Sequence, residues 1–367
     1  MDVRAILLLG PVNANGAESL GGVPIALLDV LGRPVVGRVA DRLAHFGVSA
    51  ITVIGDVGAD SSRFVFRAMQ GLRWLPSPGP ALWRTAQQTF SEYAQDGADL
   101  VLVLRLGPYL ELDYDHLTQT HFDHNSRVTA VADPCGQPLG AYLICASRRN
   151  DACFLLRHYL QEFRTPFARY TFHGYANRLA TAADLRRLAV DAFCGRAQIQ
   201  PEGAQIKPGV WVAPSARIHP RARILAPCFI GEHTKVRASA VLTRCAVLEH
   251  HAIVDCGTVI EDATVLPYAT VGTGLDLAHA VVGFHKLVHL RRNVEVEISD
   301  PKLVGMVSPA PVRTLAHAAA LASFLPINFV RGLFGKNHAE SALPSAVETP
   351  AVSDSVPAAD SALSNFR

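Results

Sequence analysis

Along the first 195 residues, short apolar runs alternate with amphipathic stretches. RAILLLG (4–10), AITVIGD (50–56), DLVLVLRL (99–106), RVTAVAD (127–133) and GAYLICAS (140–147) have the length and apolar density of strands. RPVVGRVADRLAHFGV (33–48), ALWRTAQQTFSEYAQDG (81–97) and DYDHLTQTHFDHN (113–125) carry helical periodicity, and Gly47 and Gly97 stand where C-caps are expected. Strand–helix alternation of this kind predicts an α/β domain with a mostly parallel sheet over about residues 1–195. A ligand would then sit at the carboxyl ends of the strands, near the loop that follows Leu9.

After Gly195 the period changes to six. Ile206, Val212, Ile218, Ile224, Ile230, Val236, Leu242, Leu248, Val254, Ile260 and Leu266 are all aliphatic. Two residues before each stand Ala204, Val210, Ala216, Ala222, Cys228, Thr234, Ala240, Ala246, Ala252, Thr258 and Thr264, all small or β-branched. This is the hexapeptide signature of a parallel β-helix, in which three hexads make one coil and stacked coils supply the core. Repeats of this pattern form left-handed coils, so a left-handed β-helix is expected over 196–305. The strict register ends near Tyr268, and one or two irregular final coils are expected beyond it. Residues 306–335 form an apolar, Ala-rich stretch broken by Pro326, expected as a helical segment that caps the coil or contacts a membrane surface through 314–334. Residues 336–367 are rich in Ala, Ser and Pro and are expected to be a disordered tail.

Composition narrows the function classes. The chain is 49% hydrophobic and 18% charged with a net charge of +2, which describes a buried globular protein and does not favour a nucleic-acid partner. Seven scattered cysteines without a CxxC pair predict reduced, mostly buried thiols in a cytoplasmic protein, and neither a zinc site nor a disulfide framework. No secretory leader is expected at the N-terminus.

The two-part layout and several motifs resemble the sugar-1-phosphate nucleotidyltransferases (nucleotide-sugar pyrophosphorylases), especially the mannose-1-phosphate guanylyltransferase-like branch with a C-terminal left-handed β-helix. VPIALLDVLGRPVVGRVADRL matches the family's P-K-x-L-L-P-V-x-G-x-P segment at Pro24, Leu27, Leu28, Val30, Gly32 and Pro34. The resemblance implies a Rossmann-like nucleotidyltransferase domain whose nucleotide loop involves Leu9, Gly10, Asn13 and Gly16, with Gly79 and Ala81 of SPGPALWRTAQQ at the base pocket. The nearest cation there is Arg84, read as an exposed helix residue.

The catalytic positions depart from the family. From Ile6 to Gly32 there is no Lys or Arg, and the family's phosphate-binding Lys falls on Ile25. The two positions whose Asp side chains ligate Mg²⁺ in the family fall on Gly107 and Arg178, or on Asn177 with a one-residue gap. Glu111 and Asp113 are the nearest substitute carboxylates. Transfer between anionic phosphates depends on charge neutralisation, and one lost group typically costs about two to three orders of magnitude in rate. Several losses together imply a degenerate domain that binds a nucleotide or sugar phosphate without metal, with Arg105 and Arg178 as anion-binding candidates. Mg²⁺ is expected only if the domain is active.

Three alternatives remain open. One is an active nucleotidyltransferase that uses displaced groups such as Glu111, Asp113 and Arg33. Another is a hexapeptide acyltransferase with His250, His251, His285 or His289 as general base. The third is a regulatory subunit that forms homo-oligomers or pairs with an active paralogue through the β-helix, with Lys286, Arg291 and Arg292 available to an effector phosphate or an acidic partner.

Overall fold

A computed structural model describes residues 1–10, 19–56, 61–147 and 168–307, all of which belong to one compact unit, Met1–Phe324. The main sheet has seven strands, numbered here in chain order: β1 (Val3–Leu9), β2 (Ala50–Gly55), β3 (Arg73–Pro76), β4 (Leu100–Leu106), β5 (Val128–Ala132), β6 (Pro138–Cys145) and β7 (Ala168–Thr171). Their spatial order is β7-β5-β6-β4-β1-β2-β3, with β6 antiparallel to both of its neighbours and the other pairings parallel. The five predicted strands and three predicted helices all form. The sequence reading passed over β3, β7, the short helix Ser62–Ala68 and the helix Ala182–Phe193.

Strand alternation divides the interior. Ala5, Leu7 and Leu9 of β1 face a large core that also contains Val36, Leu43, Phe64, Leu117 and Leu188. Ile6 and Leu8 face a smaller core with Ala86, Phe90 and Tyr93 of the helix Leu82–Gln95. Both faces of β1 are therefore covered, which explains why it reads as a continuous apolar run. Gly47 closes the helix Val35–Phe46 in the left-handed region at φ 92°, as its sequence position predicts.

Beyond residue 204 the chain visits three sheets in rotation. Strands pair in parallel at intervals of 18 residues: Val210 with Cys228 and Cys228 with Ala246, Arg217 with Lys235 and Lys235 with Ile253, Arg223 with Val241 and Val241 with Val259. The result is a β-helix-like stack. Ile230, Val236, Leu242, Leu248, Val254 and Ile260 line its interior without exposure, or nearly so. The circuits turn at stacked left-handed residues, with Ser215, His233, His251 and Tyr268 on one corner at φ 55–63°.

The hexad pattern fails at both ends. Ile206 lies 54% exposed on Ala204–Lys207, a strand antiparallel to Val210–Val212 and outside the coil interior. At the other end the interval shortens to 17, with Val247 beside Thr264 and Val259 beside Asp276. A one-residue step reverses side-chain facing in a strand. Val265 consequently fills the coil interior, while Leu266 turns into the α/β core. The expected irregular coils are only partly present. Parallel pairing continues through Ala280–Gly283, and antiparallel strands follow at Lys286–His289 and Val294–Glu297, with Val304–Met306 closing against Ala269–Val271. The turn Phe284–His285 has positive φ at both residues, a geometry that favours a tight hairpin over another circuit.

The cysteine expectation needs correction. Of the six described, only Cys228 is buried, and Cys135 and Cys194 are exposed. All six described cysteines are free thiols. Among the described residues, no helix is long and apolar enough to cross a membrane. The predicted segments 306–335 and 336–367 lie almost wholly outside the described residues.

Candidate functional site

Two polar regions merit attention, one at the carboxyl edge of the main sheet and one where the α/β half meets the coil. At the sheet edge, β1 ends at Leu9, which is paired with Gly55 of β2 and Leu106 of β4. Gly55 is obligatory there, since a Cβ would approach Leu9 Cβ to 2.6 Å. The next residue, Asp56, accepts a hydrogen bond from the Gly79 N–H at 3.3 Å. Gly79 and Ala81 form a short 3-10 turn leading into the helix Leu82–Gln95. Arg105 comes from β4, and its guanidinium lies 3.9 Å from where a Cβ on Gly10 would stand. The edge thus gathers Gly10, Asp56, Gly79, Ala81 and Arg105: one half-buried cation, one carboxylate and a helix start. Asn13 and Gly16 lie outside the described residues. Asp56 was missed in the sequence reading, although its place at the end of the AITVIGD strand put it on the same edge as Gly10.

The other edge candidates separate. Arg178 is exposed, on the loop after Ala176–Asn177, a strand that pairs with Tyr109–Leu110. Asn177 is buried and structurally occupied: its Nδ2 donates to Asp184 O at 2.9 Å and its Oδ1 accepts from the Leu179 N–H at 3.0 Å. Arg84 is exposed and stacks over Trp83 at 5.2 Å.

The donor set does not fit Mg²⁺ at the expected positions. Gly107 has no side-chain donor, and Arg178 brings positive charge. Glu111 Oε1 accepts the Gln198 N–H at 2.5 Å, and burial raises its pKa above the ordinary value, against the opposing pull of that N–H and Arg42. Asp113 caps the helix Tyr114–Asp123 by accepting the His116 N–H at 3.0 Å. Both substitute carboxylates are committed to the fold, and no group of three or more His, Cys, Asp or Glu able to hold a metal occurs among the described residues.

The second region is a buried latch built on the hairpin Asp29–Pro34. Glu249, from a coil turn, accepts the N–H groups of Leu31 at 2.8 Å and Gly32 at 2.9 Å, one on each carboxylate oxygen. The adjacent His250 meets Asp29 Oδ2 through Nδ1 at 2.6 Å, and both side chains are only 1% exposed. Arg67 donates to Asp29 at 3.2 Å, to Glu232 of the coil at 3.2 Å and to Gly32 O at 2.9 Å. Arg38 donates to the carbonyls of Val30, Leu31 and Gln200 at 2.7–3.1 Å. Gly32 must be glycine: φ is 93°, and a Cβ would meet Glu202 Cβ at 2.8 Å.

Burial pushes the Glu249 carboxyl up to about 8, reinforced by the charge of Asp29 and opposed by the two N–H donors and Arg38. Burial also acts to raise Asp29, but His250, Arg67 and Arg38 outweigh it and hold Asp29 below its ordinary value. A second latch joins Arg186 to Asp262 at 2.8 Å and to Thr264 Oγ1 at 3.2 Å.

These contacts reassign several predicted residues. His250, one of the base candidates, is buried against Asp29, and the hairpin, not solvent, covers it. Asp29, which the sequence reading did not single out as a site residue, binds the coil through His250. Arg33 pairs with Asp41 at 2.5 Å. His251 packs beside Tyr268 and His233, with ring centroids 5.0 and 4.8 Å away. His285 is exposed at the hairpin turn, and His289 Nδ1 accepts the Arg292 N–H at 3.3 Å, so neither sits on a parallel coil strand. Lys286 is paired with Glu295 at 2.5 Å, while Arg291 and Arg292 are exposed. Glu249, Arg38 and Arg67 were missed; a carboxylate before two histidines inside an apolar hexad row was the available signal.

A scan against protein-family models found no match to this chain. A search of curated proteins found no match either.

Proposed function

We propose that the chain is a nucleotide-sugar pyrophosphorylase-like protein with a Rossmann-like domain and a left-handed β-helix, whose degenerate site binds a nucleotide or sugar phosphate without catalysing transfer. The observation that carries this reading is the packing of the Arg105 guanidinium against Gly10 at the carboxyl edge of the sheet, the edge on which Asp56 and the turn Gly79–Ala81 also lie. A guanidinium beside the glycine that ends β1 favours an anion there, although Asp56 already occupies the Gly79 N–H. The commitment of Glu111 and Asp113 to structural hydrogen bonds supports binding without metal. A cytoplasmic setting in nucleotide-sugar or polysaccharide metabolism belongs to the same proposal, as does assembly with itself or with an active paralogue.

The test is a thermal-shift series with nucleoside triphosphates, nucleotide sugars and sugar phosphates, each with and without Mg²⁺. Metal-independent stabilisation that is lost in Arg105→Ala is expected. Pyrophosphate release at ordinary enzyme rates, or stabilisation that appears only with Mg²⁺, would overturn the proposal.

A further inference from the structure

The first two circuits of the coil concentrate charge that the whole-chain balance hides. Between residues 204 and 244 there are seven Lys and Arg and one carboxylate, Glu232, although the chain as a whole is +2. Arg237 pairs with Asp255 and Arg244 with Glu261. The other five, Lys207, Arg217, Arg221, Arg223 and Lys235, are exposed and form no ion pair among the described residues.

Lys207, Arg217, Arg221 and Arg223 lie at an open apolar end of the coil, with Lys235 one circuit further in beside Arg217. The strands Arg217–Ile218 and Arg223–Ile224 are each the outermost of their sheets. Ile218 and Ile224 are therefore only partly buried, whereas Val236 and Leu242, one circuit further in, are closed off. Ile206 and Leu225, beside the same end, are each 54% exposed. Charged side chains on edge strands ordinarily serve to discourage edge-to-edge pairing. That role does not call for two large aliphatic side chains left in water next to them.

We propose that this end of the coil docks on an anionic lipid surface, with Ile206 and Leu225 entering the interface and the five cations meeting the headgroups. The combination selects the partner. A second copy presenting the same end would bring like charges together, and a purely hydrophilic polyanion would leave the apolar end uncovered. A bilayer with anionic headgroups satisfies both requirements.

The experiment uses the full chain in a flotation assay with vesicles of phosphatidylcholine alone and of phosphatidylcholine mixed with phosphatidylglycerol. Binding to the mixed vesicles only, weakened by salt, is expected. The triple variant Arg217→Glu, Arg221→Glu and Arg223→Glu should bind at least about a hundredfold more weakly, since each surface cation contributes roughly a factor of five. Leu225→Ser should weaken binding while leaving the charge intact. All the replaced side chains are exposed, and an unchanged circular dichroism spectrum confirms that the variants fold. Four results would overturn the proposal: no vesicle binding by the natural chain, equal binding by the triple variant, preferential binding to a nucleic acid with no effect of Leu225→Ser, or aggregation of the triple variant as the sole change, which would make the cations edge guards only.

Discussion

Replacing Glu249 tests the latch between the two halves most directly. In Glu249→Ala, the Leu31 and Gly32 N–H groups lose both of their acceptors in a site closed to water. A buried donor left without a partner costs about 1–3 kcal/mol, so two cost roughly 2–6 kcal/mol. Some of this is returned because a polar carboxyl group no longer has to be buried, which brings the expected loss to about 2–4 kcal/mol. Glu249→Gln keeps one acceptor and turns its amide N–H₂ toward the second N–H, so it should fall between the two. The assay is guanidinium denaturation followed by circular dichroism and by tryptophan fluorescence, with Trp74 and Trp83 reporting the α/β half and Trp211 the coil.

The same residue sets a pH dependence. Its folded-state value near 8 lies above the unfolded value near 4.3, so between these limits the folded chain holds a proton that the unfolded chain releases. Stability should therefore fall with rising pH across that window, by up to about 1.4 kcal/mol per pH unit, and Glu249→Gln should flatten the slope. Asp29 acts in the opposite sense and at lower pH: its contribution is present above about 3.9 and is lost as pH drops through its depressed folded value. A folded Glu249→Ala variant less than about 0.5 kcal/mol below the natural chain would refute the reasoning, because it would mean that water or another group already serves the two N–H groups.

Three further outcomes are expected. Gly231→Ala places a Cβ 2.7 Å from the His250 nitrogen and 2.9 Å from Leu248 O, so successive circuits must separate; a loss of about 1–3 kcal/mol is expected in the same denaturation assay. Ile260→Ala empties a fully buried position in the coil interior and should cost about 2–5 kcal/mol, seen as a lowered Tm. Thr181→Ala breaks the reciprocal cap in which Thr181 Oγ1 accepts the Asp184 N–H and Asp184 accepts the Thr181 N–H, and should cost about 1 kcal/mol by urea denaturation.

Much of the architecture was legible because it depends on local periodicity. An apolar run such as 100–106 has two buried faces, and a period of six repeated from Val212 to Ile260 admits few arrangements other than stacked circuits. The ends of the repeat were not legible. Ile206 and Leu266 fit the column by spacing, yet the first lies on an antiparallel edge strand and the second faces the other core, because a shortened circuit moves the interior position to Val265. Hydrophobic pattern alone does not register a one-residue change in how two distant strands align.

The candidate site shows the same division. The sequence by itself determined which catalytic groups are absent: Ile25, Gly107 and Arg178 are what they are whatever the fold. It also marked Gly32 and Pro34 as parts of a recognisable segment. Only the tertiary structure decided what that segment does, because its partners Glu249 and His250 lie more than two hundred residues away. The tertiary structure likewise made the base candidate His250 a buried partner of Asp29, and committed Glu111 and Asp113 to backbone N–H groups. Residue chemistry is written locally. Burial and hydrogen-bond partners arise only when distant segments meet, and they decide whether a carboxylate or an imidazole holds the fold together or faces a ligand.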